Sequence, residues 1–339
     1  MAITLQKIAS LAGVSRGTVD RSLNNRGGIN PEVDKKIKGI AKELGYKPNR
    51  AGKALSIYKT HPTFGVVLCS FGNPFFDELK KGIDEAVSNL RDFGIKVHIE
   101  EIKGFDVKEQ IKAIDKLVTK NIKGIAIMPI LDNEITIKIN DLVNANIPVL
   151  CINSDIENTN RFAYIGPDYT KNGRTAGSVV SMIASNNNIL AVIGSKKHKG
   201  HMQRLNGFLD CIQNSNKNLI VSKIIENYDD DIICYERTLE VLNNNDINYI
   251  YAATSAGING LIRAVETSGY KGYIVGVDDT LEMVKYINNE KIIATICQEP
   301  YKQGYTAINL LFEYTINNVL PNNEYCFTNS VIKIKENIE

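Results

Sequence analysis

The hydrophobic positions fall into two regimes that change over near residue 63. Up to residue 60, apolar residues recur three and four apart with polar interruptions, the period of small amphipathic helices. Leu5, Ile8, Ala9 and Ala12 form one such face; Thr4 stands where an N-cap belongs, and Gly13 where the helix must stop and turn. Val19 and Leu23 lie four apart on a second helix that Ser15 is placed to cap, leaving Arg16, Gly17, Asp20, Arg21 and Asn24 on or near its outer face. A third helix has Asn30 as cap, Pro31 in the first position, Val33, Ile37, Ile40, Ala41 and Leu44 as its stripe, and Gly45 as its end. Two helices across a tight turn form a helix-turn-helix, which offers the start of its second helix to the DNA major groove. The same pattern also fits a plain three-helix packing unit with solvated arginines. Pro48 then breaks the chain, and Asn49 is placed to cap a short helix from Arg50 to Ser56, with Ala51, Ala54 and Leu55 as its apolar residues. A helix this short needs a partner to form: its symmetry mate, DNA, or both.

From Phe64 the period changes. Short continuous apolar runs at 64–70, 95–102, 124–128, 148–153, 189–194, 219–225, 249–253, 273–277 and 292–297 alternate with stretches of helical period, and a last strand is expected at 327–334. Such runs are parallel strands covered on both faces. Their number is more than one compact unit usually takes, so two doubly wound parallel-sheet lobes are expected, giving an α/β chain with a three-helix head. The expected division is 1–47 for the helix-turn-helix, 48–62 for the hinge helix and linker, and 63–339 for the two-lobed body.

Charge sharpens this division. The net charge of +2 hides twelve Lys and Arg against four Asp and Glu in residues 1–60, a net of +8, while the remainder holds 28 against 34, a net of −6. A basic head on an acidic body is the footprint of nucleic-acid binding by the head alone. No apolar run approaches the ~20 residues of a membrane helix, and the polar residues Thr4, Gln6, Lys7 and Ser10 interrupt any secretory core, so a cytoplasmic location is expected. The six cysteines include no CxxC pair and read as reduced thiols. His198 and His201 stand close but have no cysteine or carboxylate at ligand spacing, so no metal and no cofactor are expected.

Ligands of doubly wound lobes bind at the carboxyl ends of the strands. Those ends carry the segment from Ser70 to Phe76, then Asn153-Ser154-Asp155, Lys196-Lys197-His198-Lys199, Thr254-Ser255, Asp278-Asp279 and Gln298-Glu299. Singly, Asn73 and Asp278 read as helix caps; converging on one cleft, amides and carboxylates beside two aromatic rings suit a polyhydroxylated small molecule. The lysines at 196, 197 and 199 fit either a solvated loop or a selector for a phosphorylated or acidic sugar. There is no G-x-G-x-x-G after a strand, no Walker A pattern and no G-x-S-x-G elbow, and no acid–base pair stands out, so no enzymatic activity is expected.

Leu11-Ala12-Gly13-Val14-Ser15 with Thr18-Val19 and Arg21, then Asn24, Leu44-Gly45-Tyr46 and Pro48-Asn49, resemble the lactose-repressor (LacI/GalR) family of bacterial regulators. Asn73-Pro74-Phe75-Phe76, Arg204-Leu205 with Gly207-Phe208, Val275-Gly276-Val277-Asp278, and Ala294-Thr295-Ile296 with Gln298 extend the likeness over the body, which is also similar to ribose-type periplasmic binding proteins. The resemblance implies a homodimer reading a near-palindromic operator. It implies base contacts from Arg16, Gly17 and Arg21 and phosphate contacts from Ser15, Thr18 and Asn24. Asn49 belongs to the same DNA-binding set, and Leu55 is implied as a wedge in the minor groove. For the effector it implies Phe75, Phe76 and Tyr228 as ring walls, with Asn73, Asn153, Arg204, Thr254, Asp278 and Gln298 as polar contacts. Gly17 and Asp20 depart from the family pattern, as does Asn153-Ser154 where ribose binders have Asp-Arg. The leucine-rich tail of tetrameric members is absent. The expectation is a sugar-responsive regulator, a repressor by preference; the alternative is a cytoplasmic solute-binding protein without a transcriptional role.

Overall fold

The computed structural model describes residues 3–23, 28–46, 54–55, 57–69, 74–184, 188–196 and 198–338. The head is three helices, α1 (Leu5–Ala12), α2 (Arg16–Leu23) and α3 (Pro31–Glu43), closed around fully buried Ile8, Val19 and Ile37. Each of these side chains contributes roughly 1.5–3 kcal/mol by leaving water. The expected caps form. Thr4 Oγ1 accepts from Lys7 N–H, Ser15 Oγ from Thr18 N–H at 3.1 Å, and Asn30 Oδ1 from Glu32 N–H. Gly13 turns at φ 73°, the left-handed conformation that favours glycine. Ser22, unremarked in the sequence, is buried and donates to Asp34 Oδ1 at 2.6 Å, pinning α2 to α3.

The cap at Asn49 and the start of the hinge helix lie outside the described residues. Ala54, Leu55, Ile57 and Tyr58 are helical, so this helix runs past the expected end at Ser56. Tyr58 and His61 rest against Gly94, where a Cβ would come within 2.8 Å of the Tyr58 ring.

The body has two six-stranded sheets. The N-lobe sheet, in order β11-β5-β4-β3-β1-β2, uses β1 (Thr63–Leu68), β2 (Lys96–Glu101), β3 (Gly124–Ile127), β4 (Val149–Ile152), β5 (Ala163–Pro167) and β11 (Tyr325–Thr328). The C-lobe sheet, in order β12-β10-β9-β8-β6-β7, uses β6 (Asn188–Ile193), β7 (Ile220–Glu226), β8 (Tyr249–Ala252), β9 (Tyr273–Val277), β10 (Ala294–Cys297) and β12 (Val331–Lys333). All pairings are parallel except β10 with β12. β1, β3, β4, β6 and β8 are buried nearly throughout, as continuous apolar runs require.

Two expectations needed correction. β5 was not foreseen, because Gly166 and Pro167 punctuate a five-residue run; Pro167 is its last residue, past the pairing with β4, so it costs the sheet little. The single strand expected at 327–334 is two. The chain breaks at Asn329-Ser330, with β11 completing one lobe and β12 the other. That is one of three crossovers; the others follow β5 and β10. Helix 169–183 then packs in the C-lobe and helix 300–317 in the N-lobe. In the N-lobe, helix 75–89 ends at Asn89 and is followed by a 3₁₀ turn, Arg91–Phe93, before Gly94.

Candidate functional site

Between the lobes lies a cavity of about 740 Å³, and the strand ends converge on it. The N-lobe supplies Phe75 and Phe76, packed edge-on at 5.0 Å, from the first turn of helix 75–89. Asn153 lies just past β4 at φ 62°. The C-lobe supplies Arg204 from helix 199–213, Thr254 past β8, Asp278 past β9 at φ 67°, and Gln298 past β10.

Arg204 is fixed from behind. Helices 169–183 and 199–213 touch backbone to backbone: a Cβ on Gly173 would stand 1.9 Å from the Arg204 carbonyl oxygen, and one on Gly207 2.1 Å from that of Thr170. The Arg204 guanidinium is 2% exposed and lies 5.0 Å over the Tyr169 ring, with Nη1 donating to the Ala253 carbonyl at 2.6 Å. Its Nε and Nη2 find no protein acceptor. Buried charge without partners costs several kcal/mol unless something else satisfies it. Asp278 is 6% exposed and accepts from Gln298 Nε2 at 2.6 Å and Ser255 Oγ at 3.0 Å. Burial pushes its carboxyl up, against the pull of Arg204 and these two donors. Gln298 Oε1 is a further buried acceptor without a protein partner. Donors on Arg204 and acceptors on Asp278 and Gln298, beside two phenyl rings, match a ring of hydroxyl groups.

Tyr228 is not brought to the cavity. It sits at φ 53°, half exposed, under the Arg237 guanidinium at 4.9 Å; its neighbour Asp229 lines the cleft instead and accepts from Thr254 Oγ1. Asn73 lies outside the described residues. Asp155 is held by Arg161, and Lys199 by Glu157 at 2.7 Å; neither lines the cavity, nor does Lys196, and Lys197 lies outside the described residues. The lysine loop therefore reads as surface rather than as an anion selector.

His198, His201 and Phe105 line the cavity as well. His198 and His201 stand one helical turn apart at the start of helix 199–213. His198 Nδ1 accepts from His201 N–H, and His201 Nδ1 accepts from Ser195 N–H, which places each ring proton on Nε2. Burial pushes His198 down to about 4 and His201 well below its usual value, so both are neutral donors. Their i,i+3 spacing was legible; only metal binding was asked of it. Phe105, after β2, reaches across to the His198 ring at 5.3 Å. Among the described residues no group of three His, Cys, Asp or Glu could hold a metal, and no helix is long and apolar enough to cross a membrane.

On the head, Ser15, Arg16, Gly17 and Arg21 are exposed on one side of α2, with Thr18 half-buried and its Oγ1 2.9 Å from Ser15 Oγ. Burial, then the nearby Asp20 carboxylate, push the Tyr46 phenol up while Arg16 opposes them, so these three groups are neighbours. Asn24 and Asn49 lie outside the described residues. Leu55 is helical and 62% exposed.

Residues 4–49 match the family described as bacterial regulatory proteins, lacI family, and residues 64–318 match the periplasmic binding protein domain. The chain is 25% identical to catabolite control protein A of Priestia megaterium, covering 100% of this chain and 98% of that one. It is 31% identical to the probable HTH-type transcriptional repressor ExuR of Bacillus subtilis, over 62% of this chain and 60% of that protein. Among solved structures, the XylFII-LytSN complex matches at 27% identity and TM-score 0.73, covering 82% of this chain and 99% of that one. The glucose-galactose binding protein GanP of Geobacillus stearothermophilus shares the fold at TM-score 0.74 and 24% identity, covering 81% and 98%.

Proposed function

The chain belongs to the lacI family of bacterial regulatory proteins, with a periplasmic-binding-protein body, and from that we propose that a small sugar or related polyol held between its lobes controls its sequence-specific binding of operator DNA. It is a transcription regulator, not an enzyme. The observation that carries the effector reading is Arg204, a buried cation with two donor atoms left for a ligand, in the same cavity as the Asp278 and Gln298 acceptors. Solved structures that share the fold name D-allose, myo-inositol and D-arabinose as their ligands, which supports the same class here.

The working unit is a cytoplasmic homodimer. Two heads read two half-sites, with Arg16 and Arg21 at base edges, Ser15 and Thr18 at phosphates, and Leu55 as the wedge. A path for control runs along helix 75–89. It starts at Phe75 and Phe76 in the cleft wall, and its end leads through the Arg91–Phe93 turn to Gly94, against Tyr58 and His61 of the hinge. Fifteen residues at ~1.5 Å each make this a rod of about 22 Å. The test is fluorescence anisotropy of a labelled duplex from upstream of the protein's own gene, with and without D-glucose, D-galactose, L-arabinose, D-allose and myo-inositol. Salt-sensitive binding that one of these sugars changes at least about fivefold is expected. Failure of all five to alter it, or absence of specific binding, overturns the reading.

A further inference from the structure

We propose that Gln303, which does not line the cavity, is the positioning residue that ties cleft occupancy to the position of helix 75–89. The proposal rests on the sugar-responsive reading above. Gln303 is fully buried in the first turn of helix 300–317, just past the crossover from β10. Its Nε2 donates to the Gln298 carbonyl at 2.9 Å, and its Oε1 accepts from Asn153 Nδ2 at 3.2 Å.

Both partners belong to the cleft, and a chain of contacts continues from each. Gln298 Nε2 donates to Asp278 at 2.6 Å, Asn153 Oδ1 accepts from Tyr169 OH at 3.3 Å, and Tyr169 lies under Arg204. Asn153 is thus engaged at both ends of its amide within the protein. These contacts join the C-lobe strand ends to two of the three crossovers.

The next residue, Gly304, carries the connection outward. A Cβ there would stand 2.0 Å from the Leu79 carbonyl oxygen, and one on Gly82 1.9 Å from that of Tyr301. Helices 300–317 and 75–89 therefore touch backbone to backbone one residue from Gln303, with no flexible side chain between them to absorb a shift. A ligand that re-aims Asp278 and Gln298 moves the Gln303 amide, and with it the rod that ends under the hinge.

The test uses the full chain and the tightest-binding of the five sugars above. Calorimetry gives sugar affinity, and anisotropy gives DNA affinity with and without sugar. Gln303→Met keeps the shape and removes both hydrogen bonds. The expected result is sugar affinity and sugar-free DNA affinity each within about threefold of the parent, while the ratio of DNA affinities with and without sugar collapses to under about twofold. A merely structural role would leave that ratio intact. A parent-like ratio overturns the proposal, as does a loss of sugar affinity beyond about tenfold, which would make Gln303 part of the binding wall. Should Gln303→Met not fold, Tyr169→Phe removes the hydrogen bond at the other end of the Asn153 amide: a reduced ratio measured at saturating sugar supports the proposal, and an unchanged one overturns it. A parent that responds to none of the sugars fails the functional reading itself, and the proposal with it.

Discussion

Removing the Arg204 guanidinium takes two charge-assisted hydrogen bonds from whatever occupies the cleft. Each such bond is worth about 1.5–3 kcal/mol, so Arg204→Met is expected to weaken sugar binding by about 100-fold or more, read by calorimetry. The histidines beside it set a pH signature. His198 and His201 are held neutral in the fold, with pKa values pushed below the ~6.5 of the unfolded chain. Below pH ~6.5 the unfolded chain takes up protons that the fold refuses, so stability that is complete above that pH falls as the pH drops toward 4. For His198 the loss is on the order of 3 kcal/mol. Asp278 acts in the opposite sense at the acid end, because its raised carboxyl gains a proton first in the folded state. Urea melts across this range should show the decline, and His201→Gln should flatten it. Much of the cleft was legible residue by residue: Phe75, Phe76, Thr254, Asp278 and Gln298 follow strands whose ends must converge, whereas Arg204, inside helix 199–213, came only through the family resemblance. Gln303 was not. A glutamine in the first turn of a helix looks solvated until the fold places both ends of its amide against buried partners.

At the scale of elements, stability rests on helix pairs joined without side chains between them. Gly304→Ala drives a methyl group into the Leu79 carbonyl of the facing helix, an overlap with no soft atom to yield. The expected cost is about 1–3 kcal/mol or more, measured as a lower urea midpoint with an unchanged slope. At the other end of the chain, Ser15→Ala removes the α2 cap and should cost about 1 kcal/mol, together with a loss of DNA affinity. Helices and buried strands could be read because period and capping residues are local signals. β5 could not, because its strand character comes from β4 and β11 on either side, and these are distant in sequence. The split at Asn329-Ser330 is likewise invisible locally: each half is a fair strand, and only the lobes decide that they part.

For the whole molecule, a head of net +8 on a body of net −6 makes operator binding steeply salt-dependent, the logarithm of affinity falling by about 0.9 per phosphate neutralised for each tenfold rise in salt. Sugar binding, which involves a cation already buried, should barely respond to the same salt series. Leu55→Ala separates the two activities in the other direction. It should lower operator affinity by about tenfold, the loss of a wedge that holds a bent site, and leave calorimetric sugar affinity unchanged.

The placement of β11 and β12 bears on how the protein is made. Both sheets take their last strand from the final fifteen residues, and the N-lobe core waits for Ala307, Ile308, Leu311 and Phe312 of helix 300–317. Neither lobe can close while the chain is still being translated, whereas the head, complete within its first fifty residues, emerges from the ribosome able to fold at once. A chain cut short before residue 300 is therefore expected to carry a folded head on an unfinished sensor.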